Sequence, residues 1–345
     1  MEKTVSWFVL GLILAFSMVC GLIALPNSAT AGEPIIWKMQ TAWPETSDMI
    51  LHFQKPFADL VKGRSNGRLE IKWMPLNAIL GAEDIFGGCS KGVVQGGCSV
   101  GAYHSRVVPE AFVGFGLPFN FATYDHAYDF WYRYKNMAFL KMLDQAYREK
   151  GVHLLAGVAY GETFHTNFPV TSVDDIKKRK IRAVGSAGHF TKALGGSPVS
   201  LPMGETYMAL QRGTVDGTLG PVQGVRTFRL MEVVKYTSLP PVRLGFVEIY
   251  CSLDAYNKLP SDLQKIVDEA AIEAGEKYFR PYYEEREKLD IEDAKRAGVT
   301  ITRVSKAEYN KMANLVKPIW DEAAAKSPRC AQMVELIKTY LEEKQ

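Results

Sequence analysis

The chain has 345 residues, 47% of them apolar and 23% charged, the balance of an ordinary globular protein. Its formal charge of +3 is slight, and no dense basic run carries interleaved aromatics, which argues against nucleic acid as a partner. The densest basic cluster, Lys177 to Lys180, reads as a solvated helix end favoured by the macrodipole.

Lys3 precedes an almost wholly apolar run from Val5 to Leu25. Pro26-Asn27-Ser28 breaks that run, and Ala29-Thr30-Ala31 has the small-x-small spacing of a cleavage site. Residues 1–31 therefore read as a secretory signal peptide cut after Ala31, so the mature protein is expected to be exported. A permanent anchor is the alternative, because the run is about long enough to span a bilayer. The remainder, about 314 residues, is long for one core and suits two lobes. It carries Cys89, Cys98, Cys251 and Cys330, an even number that permits two disulfides in an oxidising compartment without fixing their pairing.

Ile35 to Met39 alternates as a strand, and Thr41 to Asp48 is a polar loop containing Pro44. Met49 to Gly63 spaces Ile50, Phe53, Phe57, Leu60 and Val61 on one helical face. Strand Leu69 to Met74, helix Glu83 to Val94 and strand Gly97 to Ala102 complete a β-α-β-α-β series. Phe112 to Phe121 reads as a crossover between lobes. Ala127 to Lys150 reads as one helix whose aromatics, Tyr128, Phe130, Trp131, Tyr132 and Tyr134, serve packing. His153 to Ala159 opens the sheet of the second lobe, and Ser172 is a candidate helix cap.

Lys180 to Gly217 is the stretch around which the chain is organised. Strand Lys180–Val184, a helix to Leu194, strand Pro198–Leu201, helix Met203–Arg212 and a strand from about Thr214 alternate on short turns. That is the pattern of a parallel sheet with helices on its faces, in which ligands sit beyond the carboxyl ends of strands. Arg182 falls near such an end, before the turn Gly185 to Gly188. Its planar guanidinium suits a carboxylate, since it donates two parallel hydrogen bonds. Phe246 to Leu253 reads as a return strand. Ser261-Asp262-Leu263-Gln264 has the form of a capping box, and the helical pattern it opens continues towards Ala297 with a bend at Pro281. Val299 to Val304 is a strand, and the chain from Lys306 is helical.

Little in the sequence points to catalysis. No His sits in an H-E-x-x-H frame, and there is no C-x-x-C, no G-x-S-x-G, no Walker loop and no G-x-G-x-x-G opening a helix. The expectation is a binding protein with no cofactor and no metal. An exported enzyme with a dispersed site and a sensory receptor stay open as alternatives.

The run P-M-G-E-T-Y-M-A-L-Q-R-G-T-V-D-G, Pro202 to Gly217, resembles the signature of the DctP-type substrate-binding proteins of TRAP transporters. Lys180-Ile181-Arg182 is similar to the segment preceding it. Leu76 to Ala82, Pro109-Glu110-Ala111 and Leu117-Pro118-Phe119 resemble further parts of the family pattern. The resemblance implies an α/β fold of the two-lobed periplasmic binding protein type II (Venus flytrap) kind, with a long bent helix spanning both lobes. It divides the chain into 32–120, the first part of the N-terminal lobe; 121–150, a crossover helix; and 151–250, the C-terminal lobe. Residues 251–297 form a return strand and the spanning helix, and 298–345 a C-terminal strand and helices.

The resemblance also implies function: a receptor that closes over a small organic carboxylate and delivers it to TRAP permease membrane subunits; no apolar heptad run supports pairing of the helical C-terminus, so a monomer is expected. Arg182 is the matching carboxylate ligand. Met203 opens the central motif and lines the pocket in relatives, and Tyr103 follows the third strand where they place a polar contact. Glu162 stands where sialic-acid receptors carry a second arginine, so it argues against that ligand; it is free to pair with Arg182 or to accept from a ligand hydroxyl or ammonium. Leu219 stands where many members have Glu, so metal-assisted binding is not expected. Gly220 replaces a larger residue and leaves room for a bulkier ligand. Trp43, Phe164 and Gln223 join the set as residues at loop starts facing the cleft. Together these suggest a monocarboxylate with an apolar or aromatic body, with a dicarboxylate or hydroxy acid as the alternative.

Overall fold

Residues 33–344 are described by the structure, a computed structural model, so the leader lies outside the described residues. Ten strands form one sheet: β1 (Ile35–Thr41), β2 (Leu69–Met74), β3 (Gly96–Val100), β4 (Val152–Thr166), β5 (Lys180–Arg182), β6 (Ser197–Val199), β7 (Gly217–Pro221), β8 (Tyr236–Leu239), β9 (Arg243–Ser252) and β10 (Thr300–Arg303). Their order is β2-β1-β3-β9-β4-β7-β5-β6, and β8 pairs with both β4 and β10. β1 runs parallel to β2 and β3 at one end, and β5 runs parallel to β6 and β7 at the other. Those two parallel blocks are what the alternating strand and helix pattern requires, since each parallel crossover needs a covering helix.

β4 and β9 join the blocks. β4 pairs antiparallel with β9 from Val152 to Glu162, then with β7 from Glu162 to Thr166. Every position of both strands is buried. This corrects the expectation for His153 to Ala159: the segment does not open a second sheet but belongs to a strand that runs through both halves of one.

The expected spanning helix is present in three pieces: helix Ser261–Glu273, a π-helical turn Ala274–Phe279 and helix Arg280–Arg296. The first piece packs on helix Lys55–Arg64, and the last on helix Gly224–Thr227 and β10, so it touches both halves. The irregularity precedes Pro281, which sits in the first turn of the last piece, where a missing N–H leaves no hydrogen bond unmade. The capping box does not form. Pro260 holds the N-cap position, and the Gln264 amide donates instead to the carbonyls of Tyr256 and Leu259, each at 3.1 Å.

The expected helix from Ala127 to Lys150 is two, Tyr124–Tyr132 and Ala138–Arg148. Lys135, Asn136 and Met137 separate them with φ of 43°, 57° and 59°, a left-handed run no α-helix accommodates. Their aromatics are core: the Trp131 ring stacks on Phe246 at 4.2 Å. The four cysteines are buried free thiols, so neither permitted disulfide is present. No helix among the described residues is long and apolar enough to cross a membrane.

Candidate ligand-binding site

Arg182 is the last residue of β5, at the carboxyl end of the second parallel block, and is only 3% exposed. Its Nε donates to the Leu201 carbonyl at 2.9 Å, and one terminal nitrogen reaches the Leu219 carbonyl at 3.5 Å. Carbonyls orient a guanidinium but do not neutralise it. Among the described residues no carboxylate lies within ion-pair distance of Arg182, and burying an uncompensated cation is costly. The turn after β5 needs Gly185: its φ is +52°, and a Cβ there would sit 2.9 Å from the Cβ of Ala102, which belongs to the other half.

Arg182, Glu162, Met203, Tyr103, Trp43 and Gln223 line one cavity between the two blocks. It is small, with a cavity volume of about 40 Å³. Sequence reasoning missed most of its apolar wall, to which Met49, Val100, Phe115, Val184, Phe228 and Val247 contribute. Single apolar residues scattered over strands, turns and helix ends carry no signal that separates cleft from core. Tyr103 ties the halves together, its hydroxyl accepting the Met203 N–H at 3.2 Å. The Gln223 amide oxygen accepts from the hydroxyl of Tyr283, on the spanning helix. Tyr160 also lines the cavity; burial, then the charge of Glu162, pushes its phenol well above the usual range, so it stays a neutral hydroxyl.

The remaining expected residues lie elsewhere. Phe164 is fully buried in the hydrophobic core, its ring stacked on Phe190 at 5.8 Å, because beyond Glu162 the strand pairs with β7 and packs on helix Ser186–Ala193. Gly220 does not line the cavity; the Met203 side chain fills the space beside it.

Glu162 does not pair with Arg182. Its carboxylate takes Nε of Arg243, the residue directly opposite on β9. Both side chains are buried. Arg243 further donates to the Gly116 carbonyl at 2.6 Å and Ser186 Oγ at 2.8 Å, and its guanidinium lies 4.0 Å from the centre of the Phe115 ring. The sequence hid Arg243 because the return strand was expected to start at Phe246, although an arginine heading an apolar strand is itself a signal of a buried charge.

A second polar cluster lies behind the cavity wall, next to Gln223 and Phe228 in sequence. Arg226, on helix Gly224–Thr227, bonds Asp48 from the first half and, at 2.7 Å, Asp290 of the spanning helix. Tyr282 donates to Asp48 at 3.0 Å and stacks on His52. Neither His nor Cys lines the cavity, and among the described residues no group of His, Cys, Asp and Glu is arranged to hold a metal ion. The arrangement can grip an anion; it presents no nucleophile of the thiol or imidazole kind.

The profile of bacterial extracellular solute-binding protein family 7, DctP, matches residues 39–327. The chain is 28% identical over 297 residues to a solute-binding protein of Albidiferax ferrireducens, covering 83% of this chain and 84% of that one. It is 24% identical over 295 residues to the 2,3-diketo-L-gulonate-binding periplasmic protein of Escherichia coli, covering 82% and 85%. A TRAP periplasmic solute binding protein from Desulfovibrio salexigens with bound orotic acid superposes with a TM-score of 0.80 at 27% identity, covering 89% of this chain and 98% of that one. Another from Rhodoferax ferrireducens with bound malonate reaches 0.82 at 23% identity over 89% and 98%, a likeness of fold.

Proposed function

We infer the function of this chain from one premise: it belongs to family 7 of the bacterial extracellular solute-binding proteins, the DctP family. That family is made up of substrate-binding proteins, not enzymes. We propose that this member captures a small monocarboxylate with an apolar or aromatic body and hands it to the membrane subunits of a TRAP permease. In this proposal it works in the periplasm, reached through a cleaved leader, and as a monomer.

The observation that carries the proposal is a charge count. Arg182 is buried without an acid, and the one carboxylate lining the cavity, Glu162, is taken by Arg243. One positive charge is left over, which one carboxylate on the ligand would balance. A second carboxylate would have no cation to meet. The apolar wall then suits the rest of such a ligand. Relatives support the broad class, because orotic acid, malonate and 2,3-diketo-L-gulonate are all carboxylic acids.

Native mass spectrometry of protein purified from its own host tests this. The expected result is one monocarboxylic acid per chain. Arg182→Ala should lose roughly 3–5 kcal/mol of binding, the range for removing one partner of a buried pair. That is a fall in affinity of about two to three orders of magnitude or more in titration calorimetry. Retention of a dicarboxylate, or near wild-type binding by the alanine variant, would overturn the proposal.

A further inference from the structure

Gly220 lies in β7 and Gly224 opens the next helix, and both are buried. A Cβ built at Gly220 would sit 3.2 Å from Met203 Cε and 3.5 Å from its sulfur; one built at Gly224 would sit 3.3 Å from the same Cε. A single thioether therefore lies over two consecutive gaps in side-chain cover, and the same side chain lines the cavity with Arg182.

The two ends of Met203 are held very differently. Its backbone N–H is fixed by Tyr103 at 3.2 Å and heads the 3-10 turn Met203–Glu205. The thioether has only dispersion contacts and one soft approach, Thr206 Oγ1 to sulfur at 3.7 Å. Methionine has three rotatable bonds and no branch, so it fills irregular gaps and yields them readily. We propose that Met203 is a displaceable plug that sets the largest acid the site accepts. The two-glycine floor beneath it is then a latent extension of the cavity, able to take the body of a bulkier monocarboxylate once the thioether swings aside. The inference rests on the carboxylate function proposed above.

The plug predicts opposite shifts from its two sides. Met203→Ala removes three heavy atoms above the floor and should move preference towards larger acids. Gly220→Val fills the floor, pushes the thioether into the cavity and should move preference towards smaller ones. Gly220 is not in the left-handed region, so a side chain there is not strained by the backbone. The probes are monocarboxylates of equal charge and growing body, from propanoate through benzoate to naphthalene-2-carboxylate, titrated calorimetrically against wild type, both single variants and the double variant, with melting temperatures as a check on folding. The expected result is at least a tenfold rise in the naphthalene-2-carboxylate to propanoate affinity ratio for Met203→Ala, cancelled in the double variant. An unchanged ratio in Met203→Ala, with wild type binding members of the series, would overturn the plug alone. Failure of wild type to bind any acid of the series would overturn the carboxylate assignment beneath it.

Discussion

Glu248 stands on β9 in the core of the first half, fully buried, and accepts from the Tyr147 hydroxyl at 2.7 Å. That hydroxyl is also 2.7 Å from Nε2 of His104. Burial pushes the Glu248 carboxyl up to about 8 and the His104 imidazole down to about 3, so both are neutral near pH 7 and their 3.6 Å approach is no ion pair. The folded state keeps a proton on Glu248 that the unfolded chain releases above its ordinary value of 4.5. The resulting stability is complete below that value and is lost as pH climbs towards 8. His104 has the opposite sign: its contribution is complete above 6.5 and is lost as pH falls towards 3. Glu248→Gln should therefore gain on wild type steadily between about pH 5 and about pH 8 in urea unfolding. A difference independent of pH would show that Glu248 is not the group titrating. Such residues also mark the limit of sequence reading. Arg182 is legible because a strand end and a turn of small residues frame it. Glu248 and Arg243 are single charges in an apolar strand, and only the strand opposite decides whether each is paired, as Arg243 is, or neutral, as Glu248 is.

Among the elements, the spanning helix was legible in its extent and misread in its detail. One-face spacing from Leu263 to Ala274 marks its buried stripe. The π-helical turn leaves no such mark, because one extra residue in a turn changes no composition. Its position is set by packing: Gly275 passes over β4, where a Cβ would come within 2.9 Å of Val158 Cγ1 and 3.6 Å of Phe53. Gly275→Val should destabilise by about 1–3 kcal/mol, the usual range for overfilling a packed interior, read as a lower urea midpoint. A raised midpoint would mean that β4 and the helix separate freely. The capping box failed for a similar reason. Ser261 to Gln264 has the right letters, but Pro260 already sets the chain's entry into the helix, and the glutamine finds carbonyls one turn back.

Across the whole molecule, polar contacts between the halves flank the cavity, and Arg226 makes the densest of them. It joins Asp48 of one half to Asp290 of the spanning helix, and both carboxylates are almost wholly buried. Arg226 is absent from the cavity wall, although its neighbours Gln223 and Phe228 line it. Arg226→Ala should therefore weaken binding through closure, with ligand release faster by about tenfold, equivalent to about 1.4 kcal/mol, and association little changed. Stopped-flow release measures this, and slower association at unchanged release would place the residue on the path inward instead.

The long strands β4 and β9 run from one parallel block towards the other. The parallel blocks are stitched by the same ladder of backbone bonds, so no slack loop stands between them at these strands. Relative rotation has to be spread as extra twist along two fully buried strands, in the manner of a torsion bar. The Glu162–Arg243 bridge sits where β4 changes partners, and the angular stiffness of that point would then govern how far the protein can yawn before a solute arrives.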